Sequence, residues 1–289
     1  MDRTLISILS GLGGMFGWGT SDFLANNVSE KIGHTKAFFW SQIAGLVLIV
    51  VMVAFIAPSF AMSPLLFGLS VFGGIAYALG YLLFYKGFEI GNVSVVSAVI
   101  NFQVLFIVII SFLRGQPLSF LQIPAIVLII LGVSLVSVNF NDLKKGSVSL
   151  FKGVKETLLA TVMFGVFYEP LHEFVVERAD WLVVSLIVKF IAILFVFVTT
   201  YFGKKSLIIL KPSNKFIALI ASVGLLEAVG VLSISFGLSY GDGIIVAPIS
   251  SALTVVTVGL AMVFLKEKIS KIQAFGIIIV VLGIIMTAV

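Results

Sequence analysis

Runs of about 20 apolar residues recur along the whole chain, and they constrain its fold more than any other feature. An α-helix rises about 1.5 Å per residue, so such a run matches the roughly 30 Å hydrocarbon core of a bilayer. A soluble domain cannot hide this surface, because 60% of the 289 residues are hydrophobic and only 11% are charged. The runs are continuous and do not alternate with polar residues, which excludes a membrane β-barrel. The sequence therefore predicts an all-α polytopic membrane protein.

Ten transmembrane helices can be counted from these runs. The first run begins directly after Met1-Asp2-Arg3, contains Asp22 and is not followed by a small-residue cleavage site. It is therefore interpreted as a spanning helix and not as a removed signal peptide. The predicted spans cover about 4–26, 36–57, 65–87, 92–113, 119–139, 153–174, 182–202, 215–238, 243–265 and 271–288.

A polar connection, Asn141–Ser147, divides the chain almost in half and suggests an internal repeat. We expect a first five-helix repeat at residues 4–139, a cytoplasmic linker at 140–152 and a second five-helix repeat at 153–288. Shifting the sequence by about 150 residues supports this division by aligning several small and polar residues. The matches are Gly80, Gly87 and Gly91 with Gly230, Gly237 and Gly241; Gln122 and Gly132 with Gln273 and Gly283; and Met15-Phe16-Gly17 with Met163-Phe164-Gly165.

Each repeat has an odd number of spans, so the second copy must enter the membrane from the opposite side. The sequence thus predicts inverted repeats, an arrangement that allows alternating access to a central site. The odd-numbered connections hold fourteen lysines, whereas the opposite side of the membrane holds only Arg3, Arg114 and Arg178. The positive-inside rule therefore predicts that the odd-numbered connections are cytoplasmic and that both termini lie outside. The lysines are Lys31, Lys36, Lys86, Lys144, Lys145, Lys152, Lys155, Lys204, Lys205, Lys211, Lys215, Lys266, Lys268 and Lys271.

The charge and the cysteine count exclude several classes of protein. The net charge of +5 comes from lysines in the connections, where anionic lipid and membrane insertion explain them, so we expect the bilayer and not nucleic acid as the partner. With no cysteine, the chain is neither a disulfide scaffold nor a thiolate metal protein. We expect no cofactor and no metal, and no obligate protein partner is evident.

Ionisable side chains inside the spans are candidates for function, because they are costly in hydrocarbon and usually face a cavity or a partner. Glu227 lies about twelve residues into its span and hence near the midplane, where it could exchange a proton or hold a cationic group. The alternative is a structural ion pair with Lys189 of the preceding span. Lys189 could also neutralise Glu169 or extend to the outer interface.

Asp22 and Glu169 form a second candidate pair, since a shift of 148 places Ser21-Asp22 on Glu169-Pro170. Inverted symmetry would then place one acid near each mouth of a central cavity. Pro170 removes a backbone donor and is expected to kink its helix, which frees a carbonyl group. The alternative for Asp22 is an interfacial residue near the cytoplasmic end of the first span.

Four further side chains complete the candidate site. His172 is either a proton relay or an interfacial hydrogen-bonding residue. Glu169 and His172 have the Glu-x-x-His spacing of carboxylate-bridged metal sites, but such a site needs a second Glu-x-x-His motif, which the sequence lacks. Asn101 and Gln103 point about 200° apart on a helix, so at most one lines a cavity. Trp18, between Gly17 and Gly19, could stack on a substrate.

With these features, the chain resembles the drug/metabolite transporter superfamily, in particular its EamA-type ten-helix members. The likeness rests on Phe264-Leu265-Lys266-Glu267-Lys268-Ile269-Ser270, followed by Gln273, Gly276 and Gly283, and on the early Trp18-Gly19. The first half departs from the pattern, with Gln116 at the place of Glu267 and Ala125 at the place of Gly276. The resemblance implies a carrier in the prokaryotic plasma (inner) membrane, with a central cavity and often with export of metabolites, amino acids or organic cations.

Together these observations predict a secondary transporter for a small polar or amphipathic metabolite. The acids favour an amine-bearing substrate and allow proton coupling through Glu227. A carrier of neutral solutes such as sugars is the main alternative. An intramembrane enzyme would need a coherent catalytic set, which His34 and His172 do not provide, and a channel would be expected to have charged rings. No phosphate-binding loop for ATP is present.

Overall fold

A computed structural model describes residues 2–91, 96, 99–115, 120–137, 152–264 and 270–287, and these residues form helices and connections without strands. Ten helices within these ranges are numbered α1 to α10 in chain order, and residues 96, 99 and 100 before α4 are helical as well. Their bounds are α1 Arg3–Ile32, α2 His34–Ile56, α3 Pro64–Ile90, α4 Gln103–Leu113, α5 Gln122–Ser137, α6 Val154–Val176, α7 Trp181–Phe202, α8 Asn214–Tyr240, α9 Gly243–Phe264 and α10 Lys271–Thr287.

The composition of the helices fits a bilayer. Among the described residues, six helices (α2, α3 and α6 to α9) are long and apolar enough to cross a membrane, and α4, α5 and α10 contain shorter apolar helices. A helix satisfies its backbone hydrogen bonds internally, which hydrocarbon requires. Serine side chains cap two equivalent helices: Ser63 Oγ accepts from Leu66 N in α3, and Ser213 Oγ accepts from Phe216 N in α8.

Helix packing follows a pseudo-twofold pattern in which each helix of the first half has a counterpart five places later. Helix α1 packs along α8, and its counterpart α6 packs along α3. Helix α2 packs on α8 as α7 packs on α3, while α2 also meets α7 and α5 meets α10. Small residues allow close approach at equivalent positions, since Gly74 packs against Val188 and Ile191 and Gly224 against Ser41.

The crossing of α5 and α10 shows that the two halves are inverted. A Cβ added at Gly132 would lie 2.7 Å from Gly276 O, and one added at Gly283 would lie 2.8 Å from Ala125 O. Gly132, late in α5, thus contacts Gly276, early in α10, whereas Ala125, early in α5, contacts Gly283, late in α10. The two helices are therefore antiparallel. Because α5 and α10 are equivalent in the two repeats, the repeats run in opposite directions through the membrane.

Three helices are irregular near the middle of the bundle. The turn at Asn101-Phe102 separates α4 from the helical residues 99 and 100, and Ala252 separates two helical parts of α9. Residues Met163–Tyr168 of α6 form a π-helical turn directly before Glu169 and Pro170. Such interruptions in membrane helices are found where backbone lines a cavity or a binding site.

The observed bounds agree with the predicted spans within a few residues, except at the end of α1 and at the start of the fourth span, where α4 begins only at Gln103 and residues 92–95, 97 and 98 lie outside the described residues. Helix α1 continues to Ile32, and Gly33 alone joins it to α2. Gly33 has φ of 82°, a conformation that glycine adopts without a steric penalty, so the polar residues before it remain helical. The predicted linker 140–152 lies outside the described residues except for its last residue, as do Leu265–Ile269 of the EamA-like motif.

The α5–α10 crossing leads to a test of the repeat geometry. Replacing Gly132 by alanine (Gly132→Ala) would place a methyl group against backbone atoms of α10, and we expect a loss of about 1–3 kcal/mol in stability. Gly68, in α3, has no atom within 4 Å of an added Cβ, so Gly68→Ala should leave stability unchanged or raise it by about 0.5–1 kcal/mol. Thermal unfolding of the purified variants in one detergent makes the comparison, and equal effects would contradict the crossing.

Candidate functional site

A narrow chamber lies where the two halves of the bundle meet. It consists of two small cavities of about 30 and 20 Å³, which share the wall residues Trp18, Gln103, Glu169 and Leu253. A cavity of this size holds a single water molecule, so the chamber is closed to a larger substrate in this conformation. Its walls come from α1, α3, α4, α6, α8 and α9, which include all three irregular helices.

Asp22 and Glu169 line the first of these cavities together. The expectation of one acid at each mouth is therefore corrected: the equivalent positions lie close to the pseudo-twofold axis, so they share one cavity. Asp22 is 7% exposed and Glu169 is half-buried. Neither carboxylate forms a hydrogen bond or an ion pair with any residue that the structure describes. Two acids without counter-ions thus face the same enclosed space.

Aromatic rings form much of the wall beside these acids. Tyr77 and Tyr81 of α3 lie with ring centroids 4.7 Å apart, and Phe164 and Tyr168 of α6 each lie 5.0 Å from one of them. Trp18 packs against Gly230, and its buried Nε1 has no hydrogen-bond partner among the described residues. The faces of such rings attract cations, and the phenol and indole groups offer hydrogen bonds.

Glu227 and Lys189 form an ion pair directly behind the chamber wall, in contact with the wall residue Tyr77. Both side chains are only 1% exposed, so Lys189 does not extend to the membrane surface. Glu227 also accepts a hydrogen bond from the hydroxyl of Tyr77, and Lys189 Nζ donates to Gln42 Oε1 at 2.9 Å. The sequence left open whether Glu227 exchanges protons or forms a structural ion pair. The structure shows the contact with Lys189 that the structural interpretation requires. The ion pair and its partners Gln42 and Tyr77 join α2, α3, α7 and α8, because each helix supplies one of these four residues.

The remaining predicted residues form contacts between helices. His172 Nε2 lies 2.8 Å from Ser235 Oγ, and the imidazole stacks on Tyr168 with centroids 5.2 Å apart. Asn101 donates to Thr254 Oγ1 across the interruptions of α4 and α9. Gln103 lines both cavities of the chamber and Asn101 lines neither.

One ion-pair network at the C-terminal end of α4 is missing from the sequence prediction. Arg114 binds Glu173, which lines the second cavity, and donates to Glu177 Oε2 at 2.9 Å. The sequence singles out Arg114 as one of three basic residues on the side without lysines, but it does not indicate the partner. The aromatic wall had a signal too, because Tyr77 and Tyr81 lie four residues apart on one face of α3.

The sequence model of the EamA-like transporter family matches residues 5–138 and residues 152–289. The chain belongs to this family. The predicted resemblance is thereby confirmed, and so is the all-α membrane fold with inverted repeats. Membership of this family indicates a membrane transporter, whereas the repeat boundaries at 139 and 153 stay a prediction.

Two further similarities add to the family assignment. An uncharacterised protein of Methanocaldococcus jannaschii is 34% identical over 85 residues, which are 29% of this chain and 61% of that protein. The match thus spans less than two thirds of that relative. A crystal structure of a protein 15% identical in sequence superimposes with a TM-score of 0.78, covering 99% of this chain and 96% of the other. At this identity, the likeness supports the fold alone.

Proposed function

We propose that this EamA-like transporter is an alternating-access carrier of a small amphipathic amine. The observation that carries this proposal is the pair of acids, Asp22 and Glu169, which share a closed chamber without counter-ions among the described residues. Carboxylates removed from bulk water are normally paired with a positive charge, so a narrow chamber with two unpaired acids favours a positively charged ligand. Aromatic side chains beside the acids favour a ligand with an apolar part.

We assign the chamber residues to distinct roles. Asp22 and Glu169 hold the ammonium group, Trp18 packs against the apolar part, and Gln103 offers a hydrogen bond. The other candidates form the framework around the chamber: Glu227 with Lys189, Asn101 with Thr254, and His172 with Ser235.

Proton coupling follows from the same two acids. After the amine leaves, a proton on Asp22 or Glu169 would neutralise the chamber while it closes and reopens on the other side, which gives an exchange of amine for proton. The lysine-rich connections favour an orientation with the carboxyl end of α4 outside the cell. In that orientation, uptake of protons from outside would drive export of the amine through the plasma membrane.

A carrier of neutral solutes is the second candidate, and the tyrosine hydroxyls and Gln103 around the chamber favour it. An enzymatic role has less support. His172 and Ser235 are close enough to act as base and nucleophile, but His172 Nδ1 has no partner among the described residues, and neither side chain lines the chamber. No three His, Asp or Glu side chains in the described part of the chain are grouped as metal ligands.

A thermal-shift screen with matched pairs of compounds separates the two candidate substrates. Phenethylamine is paired with 2-phenylethanol, cadaverine with 1,5-pentanediol, and monosaccharides are tested beside them. A ligand stabilises the state that it binds, by about 2.7 kcal/mol at 100 times its Kd. We expect the amines to raise the unfolding temperature and their uncharged partners to leave it unchanged. Larger shifts with sugars or diols would favour the neutral-solute carrier.

A further inference from the structure

A large open cleft lies beside the chamber on the predicted outer side of the membrane. It has a volume of about 670 Å³ and lies between α3, α6 and the end of α4, with Phe72, Phe167 and Phe174 among its apolar wall residues. Phe72 and Phe167 are 51% and 40% exposed, so the cleft opens on the flank of the bundle. Arg114 lines this cleft, whereas its partner Glu173 lines the closed chamber.

The Arg114–Glu173 ion pair therefore stands between the chamber and the cleft. Glu173 is 2% exposed and Arg114 is 24% exposed, which places the pair at the boundary between buried and open space. Ser111 Oγ donates to the same Glu173 oxygen at 3.4 Å. On the cleft side, Glu177 binds both Arg114 and Arg178, and Arg178 lies 3.9 Å from the ring centre of Phe174.

The surroundings of Glu173 suit a carboxylate that changes its cationic partner. Gly243, the first residue of α9, lies so close to Glu173 Oε1 that a Cβ at this position would overlap with it. The positive end of the α9 dipole thus faces the carboxylate and stabilises its charge. Arg114 has a second acceptor in Glu177, so it can leave Glu173 without losing every ionic contact.

We propose that Glu173 is a third substrate carboxylate, closed off by Arg114 until a cation from the chamber takes the place of the guanidinium group. This inference rests on the proposed function for the identity of the cation, an amine. When the amine binds Glu173, Arg114 moves to Glu177, and the chamber opens into the cleft. Substrate binding is thereby linked to opening on one side, which a carrier requires. Glu173 would also select against neutral solutes, because these cannot displace Arg114.

Cysteine labelling tests the partition without any knowledge of the substrate. The chain has no cysteine, so Ser250→Cys, in the wall of the second cavity, introduces a single thiol. A membrane-impermeant maleimide should label it slowly in the otherwise unchanged protein. We expect Arg114→Ala and Glu173→Gln each to raise the labelling rate at least about tenfold. Arg178→Gln, which removes an arginine that binds Glu177 and not Glu173, is the matched control and should change the rate less than twofold.

Chemical rescue tests whether Glu173 accepts a free cation. In the Arg114→Ala protein, about 10 mM guanidinium should restore slow labelling, whereas urea, its uncharged isostere, should not. The Arg114→Ala, Glu173→Gln double variant should label rapidly with or without guanidinium, because the acceptor is gone. If Arg114→Ala is not recovered as a folded monodisperse protein, the Glu173→Gln rate still tests the partition, and Arg114→Lys should keep the rate low.

The outcomes separate this inference from the proposed function. Labelling rates that stay unchanged in Arg114→Ala and Glu173→Gln, or a rescue by urea equal to that by guanidinium, would overturn the role of Glu173. Neither readout requires transport. A failure of the amine screen together with guanidinium rescue would therefore contradict the proposed substrate and leave the cation site at Glu173 standing.

Discussion

Replacing both chamber acids by amides, Asp22→Asn with Glu169→Gln, is expected to reduce amine binding at least about 100-fold while the protein keeps its fold. Each acid should contribute a charge-assisted hydrogen bond of about 1.5–3 kcal/mol to an ammonium group, so the loss of both exceeds about 3 kcal/mol. Neither carboxylate has a partner among the described residues, so the amides break no internal ion pair. Isothermal titration with the amine from the screen measures the change.

Glu30→Gln is the matched control for this double variant. Glu30 lies on the same helix as Asp22 but is exposed, away from the chamber. Its replacement should change amine affinity less than twofold. If the double amide variant bound the amine as tightly as the unaltered protein, Asp22 and Glu169 could not be the substrate carboxylates, and the neutral-solute carrier would become the better account.

The second large effect concerns stability. Glu227→Gln should lower the free energy of unfolding by about 3–5 kcal/mol, because it leaves the Lys189 ammonium buried without its counter-ion. Lys189→Met should have a similar cost, since it leaves the Glu227 carboxylate uncompensated. The double variant, Lys189→Met with Glu227→Gln, should recover most of the loss, because no uncompensated charge remains and the volumes are nearly conserved. Unfolding temperatures in one detergent provide the comparison.

The same variants decide between the two interpretations of Glu227. A purely structural pair predicts that the folded double variant still exchanges amine for protons. Loss of proton coupling with intact amine binding would instead assign the coupling role to Glu227, as the sequence alone suggests. Costs that simply add in the double variant would contradict the buried ion pair itself, because separate sites are additive and paired charges are not.

The membrane fold could be predicted closely because it depends on patterns that are local in the sequence. Apolar run length gives the number of spans, and the shift of about 150 residues that places Gly132 on Gly283 gives the repeat. An odd number of spans then requires the inversion that the antiparallel α5 and α10 display. The end of α1 was predicted too early, because the polar residues after position 26 suggested a loop. In the structure these residues are helical, and Gly33 alone forms the turn to α2.

The partners of the buried charges were harder to predict, because they depend on which helices are neighbours. The residue type and the position within a span identified Asp22, Glu169 and Glu227 as unusual. They did not show that Glu227 is paired with a lysine whereas Asp22 and Glu169, within the described part of the chain, are not. Lys189 and Glu227 lie on consecutive spans, so their contact could be considered from sequence. Arg114 and Glu173 lie 59 residues apart on helices that meet only through the arrangement of the two repeats. Nothing local in the sequence indicates that contact.

Counterflow in proteoliposomes is the decisive experiment for a carrier with one amine-binding chamber that opens to either side of the membrane. Vesicles are loaded with the unlabelled amine identified in the screen and diluted into a trace of the radiolabelled compound. We predict transient accumulation of label above its equilibrium level, which is absent when Asp22→Asn and Glu169→Gln are combined. Label that only equilibrates, without an overshoot, or an overshoot that persists in the double amide variant, would contradict the account.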